Sequence, residues 1–101
     1  APRVLVVVGT YDKAWVRRFD GYNSIETDLS IALTPLTLAA ENEGVGTCWI
    51  EAYDPAILRE ALQLTDNQVV FGISPLGYPR PEFVKKGIKD RKPASELIRF
   101  L

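Results

Sequence analysis

Val4-Leu5-Val6-Val7-Val8, closed by Gly9, is the stretch that most constrains what this chain can become. A β-branched run with no polar alternation needs cover on both faces if it is a strand, so it is the expected central strand of a layered domain. Gln68 to Ser74 (QVVFGIS) gives a second strand, leading into a turn at Gly77 to Pro79, and Thr47 to Ile50 (TCWI) gives a third. A helix is expected from about Asp28 to Glu43, capped by Asn23 with Glu26 three residues on, or by Thr27 alone. Its apolar residues, among them Leu29, Leu33, Leu36 and Ala40, surround most of the circumference, which makes it a central helix. Pro35 lies inside it, removes one backbone donor and predicts a kink near Ile31. A second helix starts with Asp54 as cap and Pro55 in the first position and ends near Leu64. Taken alone, this β-α-β-α-β order predicts a small parallel α/β sheet.

The stretch GVGTCWIEAYDP, residues 44–55, places two glycines about one small residue, as phosphate-gripping loops do. In a dinucleotide fingerprint such glycines follow a strand and open a helix; here they close a helix and open a strand. Gly44 is therefore read as the left-handed residue that ends the helix, with Gly46 turning the backbone into the next strand.

The chain has 101 residues, enough for one compact domain, and 12 basic against 13 acidic residues leave no global field to attract nucleic acid or an anionic membrane. One cysteine and no histidine exclude an intrachain disulfide framework, the usual zinc sets and every histidine-based triad, and no metal site is expected. Cys48, in an apolar strand without an activating histidine, is expected to be a packed core thiol, and Trp49 a core or interface filler. No apolar run approaches the ~20 residues that span a bilayer, the opening APRVLVVVGT is too short and too early for a signal peptide, and a cytoplasmic location is expected. The absence of methionine leads to the expectation of a processed product or an excised segment.

Two segments stand outside the layered pattern. The connection from Thr10 to Ser24 turns at Asp20-Gly21 and carries Trp15, Phe19 and Tyr22, which either line a substrate channel or anchor their own loop; Asp12 and Asp20 are assigned to the surface. From about residue 80 the chain becomes an extended arm ending in Leu97, Ile98, Phe100 and Leu101, an apolar tip that calls for another subunit's surface. Within the arm, KKGIKDRK reads by itself as a solvated charge run.

The ordered combination of a helix ending in LAA, the GVGTCWI strand, an acidic-proline helix start, LGYP and the basic KDRKP segment resembles the C-terminal half of the flavin-dependent nitroreductase family over nearly the whole chain. The resemblance implies a three-layer α+β fold with a mixed, largely antiparallel sheet, of which residues 1–101 would be a single partial domain; it replaces the parallel-sheet expectation. It further implies a homodimer with FMN at the interface and the C-terminal arm wrapped about the partner. By the same resemblance Ile50, Glu51 and Ala52 pass the flavin ring, with the amides around Glu51 and Ala52 facing its N5/O4 edge. Donors fixed in that place stabilise negative charge developing on the ring. Lys89 and Arg91, spaced to lie on one side of an extended backbone, then become partners for the FMN phosphate. No side chain is assigned as catalytic acid, base or nucleophile.

The activity implied is an NAD(P)H-dependent flavin oxidoreductase that passes hydride through flavin N5 to a nitroaromatic, quinone or similar small-molecule acceptor. The alternative is a non-catalytic fragment or partner subunit that dimerises or binds flavin without turnover. The family's N-terminal half, which supplies an arginine- and serine-rich phosphate motif, has no counterpart in these residues.

Overall fold

A computed structural model describes all of residues 1–101. The elements are strand β1 (Arg3–Thr10), a 3-10 turn (Tyr11–Lys13), helix α1 (Ile25–Asn42), strand β2 (Gly46–Thr47), helix α2 (Pro55–Ala61), strand β3 (Gln68–Gly77) and helix α3 (Ala94–Leu97). The sheet has the order β1-β3-β2, and both pairings are antiparallel. The parallel sheet suggested by element order is thus overturned, and the α+β arrangement holds. The valine run also takes a different place. β1 is an edge strand of the three, and β3, pairing on both sides, is central. Arg3 pairs with Leu76 and Thr10 with Gln68, but the register shifts between Val7 and Val8, which face Gly72 and Val70. Phe71 therefore has no partner on β1 and forms a bulge, a device that re-aims a side chain and sharpens strand twist.

Helix α1 packs on this sheet through its first turns. A Cβ on Gly9 would lie 2.7 Å from Ile25 Cδ1 and 2.9 Å from Leu29 Cδ1, so the missing side chain lets α1 sit close against β1. The helix begins three residues before the expected Asp28, because Asn23 Oδ1 accepts the Ile25 N–H (2.9 Å) and Ser24 Oγ bonds Asp28 Oδ2 (2.7 Å). It continues unbroken through Pro35. It is not enclosed as its apolar circumference predicts, since Ile25 and Leu33 are its only buried residues, while Ile31 and Leu38 are exposed. Gly44 follows with φ of +71°, the left-handed helix ending read from the sequence.

Helix α2 starts as expected, with the Asp54 carboxylate accepting from Ala56 N (2.9 Å) and Ile57 N (3.4 Å) ahead of Pro55, and stops earlier, at Ala61. From Tyr78 to Pro93 no regular element forms, and every residue from Tyr78 onward is exposed. The Lys85 ammonium pairs with Glu41 and so ties this arm to the end of α1. Only 5 of 101 residues are buried, so most apolar side chains lie on open faces. No helix is long and apolar enough to cross a membrane.

Candidate functional site

Residues 48–53 form a strap laid along the central strand. Cys48 N–H donates to Ser74 Oγ (3.2 Å), and Ser74, with no exposed surface, donates in turn to the Pro75 carbonyl (3.2 Å). Ile50 and Ile73 exchange both main-chain hydrogen bonds, at 2.9 and 3.0 Å. Tyr53 closes the strap by donating its hydroxyl to the Val70 carbonyl (3.0 Å) and its N–H to the Glu51 carbonyl (3.0 Å). Burial first, then the charges of Glu51 and Glu26, raise the Tyr53 phenol above its ordinary value. The expected strand at TCWI is shorter than its sequence suggests: only Gly46 and Thr47 form β2, and the Ile50 pair is an isolated bridge.

Between these fixed points the backbone leaves donors open. The N–H groups of Glu51 and Ala52 have no acceptor within the chain, although Ile50 before them and Tyr53 after them are both bonded. Two adjacent, immobilised and unpaired amides are what an electron-rich acceptor edge requires. Ile50 is half-buried and bonded to the central strand, whereas Glu51 and Ala52, the next two residues of the strap, are exposed.

Trp49 packs edge-on against Phe71, with ring centroids 5.7 Å apart and planes at 74°, and its Nε1 donates to Glu51 Oε1 (2.9 Å). A Cβ on Gly72 would stand 3.2 Å from that Nε1, so glycine at 72 accommodates the indole. Glycine inside an otherwise β-branched strand is a recognised mark of a bulge or close approach. It is the sequence signal for the Phe71 and Gly72 contribution. Cys48 corrects another expectation. Its thiol is exposed, not packed, beside a groove of about 350 Å³ that Thr47, Pro75, Tyr78 and Phe83 also line.

Lys89 and Arg91 lie elsewhere, in the exposed arm, with no hydrogen bond or ion pair to any residue. The structure does not bring them to the strap. The aromatic connection folds on itself: Val16 bridges Asn23, Arg17 forms a two-pronged pair with Asp20 (2.8 and 2.6 Å), and the guanidinium lies 4.8 Å from the centre of the Tyr22 ring. Tyr22, also bonded to Thr27, is thereby an anchor, whereas Trp15 and Phe19 project outward at 61% and 98% exposure.

An antiparallel sheet with a long helix across it, and a strap with open main-chain donors on its central strand, defines a mixed α+β protein. Comparison with known proteins assigns the class a family: the nitroreductase family model matches residues 1–78, and the chain belongs to that family. The match includes the strap and stops short of Lys89 and Arg91. A protein of Archaeoglobus fulgidus named "Putative NADH dehydrogenase/NAD(P)H nitroreductase" is 37% identical over 65 residues, 60% of this chain and 37% of that protein. The crystal structure of a nitroreductase family protein from Clostridium difficile 630 superposes with a TM-score of 0.83 at 33% identity, covering 96% of this chain and 58% of that one. A Parabacteroides distasonis structure bearing the same name as the Archaeoglobus protein gives 0.73 at 28% identity, covering 95% and 54%. The fold is accordingly that of nitroreductases, and the chain spans about half the length of the relatives it matches.

Proposed function

We propose that this chain is part of an FMN-dependent oxidoreductase that draws hydride from NAD(P)H and delivers it to a nitroaromatic, quinone or related acceptor. The observation that carries this reading is the pair of open amides at Glu51 and Ala52, held between bonded neighbours within the segment that matches the family. This donor set fits the electron-rich edge of an isoalloxazine ring. Flavin bound there supplies hydride uptake and delivery at N5. The strap's part is to donate two hydrogen bonds from fixed positions, and the Ile50–Ile73 pair and the Tyr53 hydroxyl keep it from moving away.

Lys89 and Arg91 are proposed to hold the FMN phosphate, as free cations on an arm able to take up a ligand. Hydrogen bonds to charged groups contribute ~1.5–3 kcal/mol, so Arg91→Ala is expected to weaken FMN binding by that amount in a fluorescence titration. Riboflavin, which lacks the phosphate, should be affected little. Equal losses for both ligands would remove Arg91 from the site.

We also propose a homodimer. The chain exposes 8649 Å², whereas a compact monomer of its mass exposes about 5,700 Å². The excess is larger than the ~800 Å² that each partner contributes to a standard interface. The second reading is a non-catalytic fragment or partner subunit that dimerises or binds flavin without turnover. Yellow protein that releases FMN on denaturation and oxidises NAD(P)H with an acceptor supports the enzyme. Colourless protein that stays so with added FMN overturns it, and flavin-loaded protein without NAD(P)H oxidation selects the second reading.

A further inference from the structure

A short carboxylate readily accepts from main-chain amides two and three residues on. Asp54 does so one turn further along, accepting from Ala56 and Ile57. Glu51 has a longer side chain, carries one open amide itself and precedes the other, and its Oε1 is engaged by the indole of Trp49 at 2.9 Å. That indole is fixed independently of Glu51. Its ring meets the bulged Phe71 edge-on, and the absent side chain of Gly72 admits its Nε1 edge.

We infer that Trp49 is a positioning residue, whose N–H holds the Glu51 carboxylate away from the amides of Glu51 and Ala52 and keeps both open to an acceptor. The inference deepens, and rests on, the reading of the strap as a flavin edge. Two effects follow from the same bond. The donors are not consumed internally, and a negative charge is kept from the place where an acceptor gains negative charge, where like charges would oppose each other. Phe71 and Gly72 act through Trp49, which gives the bulge in β3 a purpose beyond strand geometry.

The test compares Trp49→Phe, which keeps a ring against Phe71 and removes the N–H, with the same change combined with Glu51→Ala, in the full-length protein. In cofactor-free Trp49→Phe, hydrogen exchange at the amides of residues 51 and 52 should slow by about three- to tenfold, the factor for one net hydrogen bond. In the flavin-loaded protein the midpoint potential should become more negative. Adding Glu51→Ala should reverse both changes. Unaltered exchange in Trp49→Phe overturns the inference, as does slowing that Glu51→Ala fails to reverse, since packing alone would then account for Trp49. Should Trp49→Phe not fold, the indole N–H itself decides: it should exchange faster in Glu51→Ala than in the parent, and equal rates overturn the inference. A parent protein that takes up no flavin sinks the proposed function instead, while the exchange measurements still decide this point.

Discussion

At Ala52 the open donor belongs to the backbone, and substitution can separate it from any side-chain effect. Ala52→Pro deletes the N–H and restricts the residue before it. On folded, flavin-loaded protein, hydride transfer measured by stopped flow should slow by a barrier of ~2.7–4 kcal/mol, the effect of losing one preorganised donor. Glu51→Gln retains its N–H and should lose far less; the opposite ranking would assign the chemistry to the carboxylate. In the aromatic loop, the Arg17 hydrogen bond, followed by the Tyr22 amide, holds Asp20 below its ordinary value. A depressed folded pKa contributes stability above the unfolded value and loses it as pH falls through the folded one. The Val16–Asn23 hairpin should therefore loosen only in acid below the ordinary carboxylate range, followed by the Gly21 and Tyr22 amide resonances. In Asp20→Asn the loop should be loose already and indifferent to pH through that window. Single residues were unevenly legible. Asp20 at a turn reads from local chemistry, but open main-chain donors leave no trace in residue type, so Glu51 and Ala52 were reached only through resemblance. Cys48 was misread because an apolar neighbourhood in sequence did not become one in space.

Elements declare themselves where their signals are local. Asp54 and Pro55 mark the start of α2 by side-chain chemistry contained in four residues, and the structure places the cap there. Asp54→Ala should cost about 1 kcal/mol, the usual loss for a helix cap, read as a lower urea midpoint with unchanged slope. The start of α1 was read late because Asn23 serves the first turn from outside the helix, through Ile25 N. Strand pairing was not legible from the residues alone and came only with the family resemblance. Whether β1 lies at an edge or in the centre depends on residues such as Leu76, its partner at Arg3, and no local pattern in Val4–Val8 records that distance. Nor does a valine run disclose which layer will cover it: none of these residues is fully buried within this chain.

For the whole molecule, the radius of gyration is 17.3 Å, against about 13 Å for a compact chain of this length. The exposed arm accounts for much of the spread, with Ile88, Phe100 and Leu101 at or near full exposure. If its tip docks on a second subunit, removing residues 93–101 should weaken association, seen by light scattering as dissociation at concentrations where the parent stays paired. A truncated protein of unchanged mass and stability would count against that role. The shape also explains what composition could not convey: the apolar content suffices for one core, but these residues spread it over faces instead of closing it.

The antiparallel partnership of the first and last strands has a consequence in time. Val4–Val8 leaves the ribosome well before its partners, which run from Val70 to Pro75. At synthesis rates of about 5–20 residues per second, this apolar stretch waits for seconds with its edge unsatisfied. Such long-range pairing is slow even once both strands exist. During synthesis, then, this protein depends less on how well its strands fit than on what shields β1 until β3 arrives.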